Sequence, residues 1–138
     1  MGTRGEADAL ERFGQWYAGC VPPAAVAAER DSLGSDYGAN GYTTLAQADQ
    51  LVEVLALDRG DRLLDIGSGC GWPGLHVAAR AGCTVVVSDL IQAGMRRAVA
   101  RASRDGPAVR TAAVVASARH LPFRPDSFEA IVHADVLC

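Results

Sequence analysis

Arg62-Leu63-Leu64-Asp65-Ile66-Gly67-Ser68-Gly69-Cys70-Gly71 opens the stretch that decides the fold, and Thr84-Val85-Val86-Val87-Ser88-Asp89 closes it. A short apolar run that stops at alternating glycines reads as a strand entering a tight turn, with a helix beginning near Trp72-Pro73. Glycines are needed there because a Cβ would hold a ligand off the backbone, and because the turn demands positive φ angles. A ligand is therefore expected against that turn. Asp89 stands 20 positions after Gly69, at the end of a β-branched run. A carboxylate so placed accepts hydrogen bonds from both hydroxyls of a ribose.

On either side of this stretch the hydrophobic period changes. Upstream, Leu10, Phe13, Trp16 and Tyr17 recur at helical spacing within Ala7 to Tyr17, and Gly19 and Pro22-Pro23 break the pattern. A second short helix is expected over Ala24 to Arg30, followed by a glycine-bearing loop, Asp31 to Gly41, that reads as mobile. Thr44 with Gln47 forms a capping box for a third helix, which carries Leu45, Ala48, Val52 and Leu55 and stops at Arg59-Gly60. Downstream, Leu75 to Ala81 is helical with Gly82 as its cap, and Ile91 to Ser103 is a further helix. Strands are expected over Thr84 to Ser88, Ala108 to Val115 and Phe128 to Val136. Strands alternating with helices, and apolar on both faces, indicate an α/β fold with a mostly parallel sheet between helices.

The ribose-bearing ligand has two candidate identities. Gly69-Cys70-Gly71-Trp72-Pro73-Gly74 fits the bare GxGxxG of NAD-binding folds. In that reading the tight turn opens at Gly69 and leaves Asp65 close to a pyrophosphate, where like charges repel. S-adenosylmethionine carries an ammonium and a sulfonium and no phosphate, so an acidic residue leading into the glycines favours it.

Three segments together resemble the class I S-adenosylmethionine-dependent methyltransferases: Asp65-Ile66-Gly67-Ser68-Gly69-Cys70-Gly71, Val87-Ser88-Asp89 and Leu121-Pro122-Phe123-Arg124-Pro125-Asp126-Ser127-Phe128. The resemblance runs from about Tyr42 to Cys138. It implies a Rossmann-like three-layer α/β/α fold preceded by N-terminal helices, with residues 1–41 as a helical cap and 42–138 as the N-terminal half of the methyltransferase domain. It also implies roles. Asp65, Gly67, Ser68 and Gly69 would line the methionine part, Asp89 and Leu90 the ribose and adenine, and Ser117 and Ala118 the adenine edge. Tyr42, His133 and Ala134 complete the expected cofactor contacts. Ser117 departs from the family, which commonly has an aspartate there. The family's sheet has seven strands, so this chain is expected to be incomplete after the fourth, leaving Ile131, Val132, Val136 and Leu137 on an unpaired edge through which it could form a homodimer.

Methyl transfer needs a base only when the acceptor must lose a proton early. Of the three histidines, His76 lies within a helix and His120 in a loop. His133 is the catalytic candidate, because it shares a face with Asp135 by strand alternation and stands at the carboxyl end of the sheet. Trp72 opens a helix and is as suited to packing as to ligand contact.

The 138 residues are 49% hydrophobic, enough for one domain with its own core. Net charge is -3, all 13 basic residues are arginine, and no like-charge run tracks a phosphate backbone, so nucleic acid is excluded as the favoured partner and the methyl acceptor is expected to be a small molecule. Cys20, Cys70, Cys83 and Cys138 fit no zinc spacing and read as free thiols, so no metal is expected. With no signal peptide or membrane-length apolar run, the expected location is cytoplasmic. Three functional classes follow: a methyltransferase or its donor-binding portion, a noncatalytic Rossmann-like binding module, and an NAD-dependent oxidoreductase fragment.

Overall fold

A computed structural model describes residues 2–106 and 109–136. Helices α1 (Arg4–Ala18), α2 (Pro23–Leu33) and α3 (Leu45–Leu55) precede β1 (Arg62–Ile66), α4 (Gly74–Ala81), β2 (Thr84–Asp89), α5 (Gln92–Asp105), β3 (Thr111–Val115) and β4 (Ala130–Val132). The strands form a parallel sheet in the order β3-β2-β1-β4, which makes the glycine-terminated strand β1 central. This is the Rossmann-like α/β arrangement, with helices leading into it.

Side-chain alternation sorts the sheet into two faces. Leu63, Val85, Val87, Ala113, Ala130 and Val132 share one, where they pack with Leu75, Val77 and Ala78 of α4 and Met95, Ala98 and Ala102 of α5. Leu64, Val86 and Ile131 share the other, on which Ile131 at the β4 edge is 55% exposed.

Helix termini follow local chemistry. The Thr44–Gln47 capping box forms as expected, and α3 ends at Leu55 with Ala56 in the left-handed region. Gly82 closes α4 at φ 74°. A second capping box, Thr3 with Glu6, starts α1 earlier than its apolar periodicity alone suggests. The loop after α2 is fastened. The Glu29 carboxylate accepts from Ser35 Oγ (2.7 Å), Tyr37 N (3.0 Å) and Gly38 N (2.8 Å). Asp36 pairs with Arg30 and Arg101, and the Arg101 guanidinium lies 3.9 Å from the centre of the Tyr37 ring.

Two strands are shorter than the sequence pattern suggests. β3 begins at Thr111, and Ala108 lies outside the described residues. β4 covers only Ala130–Val132, so His133 and Asp135 do not share a strand face. Asp135 takes a left-handed conformation (φ 58°), and its Oδ2 accepts from Tyr42 N, Thr43 N and Thr43 Oγ at 2.9–3.1 Å, bonds that turn the chain out of the sheet. Gly41 permits this approach, since a Cβ there would overlap the Asp135 carboxylate. Ahead of β4, Phe123 meets Phe128 edge to face, with 5.0 Å between ring centres, which fixes the turn that carries the chain back to β1. Leu137 and Cys138 lie outside the described residues.

Candidate functional site

The carboxyl ends of β1 and β2 are stitched together by the backbone of the glycine turn. Gly67, Gly69 and Gly71 have φ of 68°, 55° and 97°, the left-handed region where a side chain is strained. Gly67 N and Ser68 N both donate to Ser88 O, at 2.7 and 3.1 Å. The next amide, Gly69 N, donates to Asp89 Oδ2 (2.9 Å), while Asp89 Oδ1 accepts from Ile91 N (2.8 Å), the residue capping α5. Asp89 therefore holds the turn and the start of α5 at once. It is only half-buried, and each oxygen keeps a lone pair for a further donor.

Asp65 is placed differently. Alternation along β1 turns it to the α4 side, fully buried, where Oδ2 accepts from Gly74 N (2.8 Å). Its Oδ1 has no hydrogen-bond partner among the described residues, and neither do the buried Ser68 and Ser88 hydroxyls. Burial pushes the Asp65 carboxyl well above the ordinary carboxylate range; the Gly74 amide opposes this and the charge of Asp89 adds to it. A carboxyl whose folded pKa exceeds its unfolded value of about 3.9 stabilises the fold while protonated. That contribution is complete below the unfolded value and is lost as pH rises toward the folded pKa. Asp65→Asn keeps a carbonyl for Gly74 N, so it is expected to flatten this decline; urea unfolding at stepped pH from about 4 to 8 reads it. An unchanged pH slope would refute the assignment.

The remaining expected contacts lie around this turn. Ser117 follows β3, beyond Ala116, whose amide donates to Asp89 O (3.0 Å). Leu90 is half-buried beside Ile91, and Ala118 is exposed. Tyr42 is 81% exposed, and its backbone amide is tied down by Asp135. His133 is exposed and Ala134 half-buried, just past β4. The segment that follows returns to the turn, where a Cβ on Gly67 would lie 2.5 Å from Val136 Cγ2. Trp72 packs: its Nε1 donates to Thr43 O (2.9 Å), and its ring lies between Tyr37 and His76. His76 in turn meets Asp49 at 2.8 Å.

Two residues that the sequence reading left out also reach the site, both from α1. The Tyr17 hydroxyl rests against Gly69, where a Cβ would overlap it, and packs with Cys70 and Ile91. Glu6 accepts a hydrogen bond from the Ser117 hydroxyl. Cys70 donates to Gly38 O (3.2 Å), and burial pushes its thiol up to about 12, which removes it as a nucleophile at neutral pH. No cluster of metal-ligating side chains occurs among the described residues, and no helix among them is long and apolar enough to cross a membrane.

A parallel sheet with a glycine turn after its central strand and a carboxylate after the next defines a nucleoside-binding α/β protein. Residues 63–138 match the family model described as a methyltransferase domain, more than half of the chain, and the protein belongs to that family. It is 34% identical over 83 residues to methyltransferase GfsG of Streptomyces halstedii, covering 60% of this chain and 30% of that one. The uncharacterized protein Rv1403c of Mycobacterium tuberculosis is 38% identical over 98 residues, 70% of this chain and 35% of the relative. The chain thus spans about a third of the length of the curated relatives it matches. Among solved structures, phosphoethanolamine N-methyltransferase 2 of Haemonchus contortus, in complex with phosphomonomethylethanolamine and S-adenosylhomocysteine, shares the fold at a TM-score of 0.72 and 22% identity, over 98% of this chain and 30% of its own.

Proposed function

We propose that this chain is the donor-binding portion of an S-adenosylmethionine-dependent methyltransferase acting on a small-molecule acceptor. The observation that carries the reading is Asp89, which bonds the amides of Gly69 and Ile91 and retains acceptor capacity at the mouth of the turn. The residues present fit the donor. Asp89 stands half-buried beside the turn with acceptor capacity for ribose hydroxyls, and the buried Asp65 and Ser68 side-chain oxygens beneath the turn have no hydrogen-bond partner among the described residues. The dinucleotide alternative is weakened by register: β1 ends at Ile66 and the left-handed turn begins at Gly67, before the Gly69 that reading requires.

When bound, the sulfonium supplies an activated methyl group. The work left to the chain is positioning and exclusion of water. Asp89 orients the ribose from its half-buried place beside the glycine turn. The segment 1–41 acts as a cap, since Tyr17 covers Gly69 and loop 34–43 is pinned onto the turn by Cys70 and Trp72. The three described cysteines are free thiols, which suits a reducing, cytoplasmic setting.

We assign His133 to the acceptor side, as the base, on its exposed position just past the carboxyl end of β4 and without the support of Asp135. The reading as a whole is tested by isothermal titration with S-adenosylhomocysteine against NAD. Saturable binding of the first alone is the expected result, and binding of NAD alone would overturn it. His133→Ala should leave that affinity within about twofold; a tenfold loss, roughly 1.4 kcal/mol, would move His133 to the donor contacts.

A further inference from the structure

We infer that Glu6, carried by α1 to the carboxyl end of β3, is the residue that recognises the amino group of adenine. The inference rests on the donor reading above and adds a specificity residue from a part of the chain outside the methyltransferase-domain match, which begins at residue 63.

Glu6, Leu10, Phe13 and Tyr17 recur at spacings of four, three and four, one stripe of α1. Its two ends touch the domain at different strands. Tyr17 sits on Gly69, after β1, and Glu6 meets Ser117, after β3. The helix thus crosses the carboxyl ends of β1, β2 and β3, a span of about 16 Å at ~1.5 Å per residue. Phe13 packs with the Ile91 cluster, whereas Leu10, between Phe13 and Glu6, is 46% exposed. An apolar side chain is left uncovered there, with a carboxylate one turn away.

That chemistry suits a flat apolar base bearing an exocyclic amino group. With the ribose at Asp89 and the glycine turn occupying the β1 side, the base extends toward β3, whose end is the Ala116-Ser117 segment. Glu6 is held in place for such a contact. Its Oε2 accepts from Thr3 N (2.7 Å) and its Oε1 from Ser117 Oγ, which itself accepts from Arg119 N (3.2 Å). The Ser117 hydroxyl first, and then the Thr3 amide, hold the Glu6 carboxyl below the usual range, so it is ionised at neutral pH and serves only as an acceptor. An amino group matches it; a ring carbonyl at the same position is repelled.

The test is titration of the full chain with S-adenosylhomocysteine and S-inosylhomocysteine, which differ in that one group. The native chain is expected to prefer the adenosyl ligand by about 10- to 100-fold, the range of a hydrogen bond to a charged partner. Glu6→Gln still completes the capping box but offers either a donor or an acceptor, and should reduce the preference to about threefold or less. Ser117→Ala leaves Glu6 and its cap intact and removes its anchor, so it should lower the preference to an intermediate value. If both variants discriminate like the native chain, or weaken both ligands equally, Glu6 is only a helix cap and the inference fails alone. If the native chain binds neither ligand, the donor reading fails, and this inference with it.

Discussion

Asp89→Ala is expected to weaken S-adenosylhomocysteine binding by about 100-fold or more, the largest effect on affinity of any single substitution in the chain. Hydrogen bonds to a charged acceptor contribute about 1.5–3 kcal/mol each, and roughly 1.4 kcal/mol is a factor of ten, so losing two ribose contacts already reaches that figure. The variant also frees the amides of Gly69 and Ile91, which the two carboxylate oxygens now hold at 2.9 and 2.8 Å. Because Asp89 is only half-buried, water can take over those amides, and the domain should still unfold cooperatively. Calorimetric titration reads the affinity and a thermal melt reads the fold. A loss below tenfold with an unchanged melt would place the ribose elsewhere.

Gly74→Ala should have the largest effect on stability, a loss of about 3 kcal/mol, or roughly 10 °C in Tm. Gly74 is buried in the first turn of α4, and an added Cβ would lie 2.6 Å from Asp65 Cβ and 2.9 Å from its Cγ. Asp65 cannot swing aside, being fully buried and bonded to the amide of Gly74 itself. Adding Asp65→Ala does not relieve the overlap, since the Cβ–Cβ approach remains. Gly14 provides the contrast: it lies within α1 with no atom within 4 Å of an added Cβ. Gly14→Ala should stabilise the chain by about 0.5–1 kcal/mol through helix propensity. A Gly74→Ala variant that melts like the native protein would show that β1 and α4 are not packed as described.

What the sequence made legible was local. The run into Gly67, the spacing to Asp89, the Thr44–Gln47 box and the Gly82 cap each depend on residues within a few positions, or on one strand–helix–strand unit, and all appear in the structure. The missing parts depend on partners far along the chain. The sequence pattern of β4 runs on to Val136, but Asp135 is claimed by Tyr42 and Thr43, more than 90 positions earlier, and the strand stops at Val132. The loop after α2 has the composition of a mobile connector; Glu29 and Arg101 fix it through contacts no periodicity encodes. The stripe on α1 announces a helix with an inward face without saying what that face meets. Only the structure shows that Glu6, which caps α1 with Thr3, also reaches Ser117.

The placement of α1 also has a consequence for how the chain is made. Helix α1 is made before the sheet that it meets, and its contact at Glu6 waits for Ser117, 111 positions later. At about 5–20 residues per second, that is a delay of roughly 6–22 s for Glu6, while Phe13 and Tyr17 wait the shorter time to Ile91 for a surface to cover. Tyr17 finds its seat only after the glycine turn and the start of α5 exist, and Glu6 only after β3. The cap therefore closes in two steps during synthesis, first at Tyr17 and then, once β3 has been added, at Glu6.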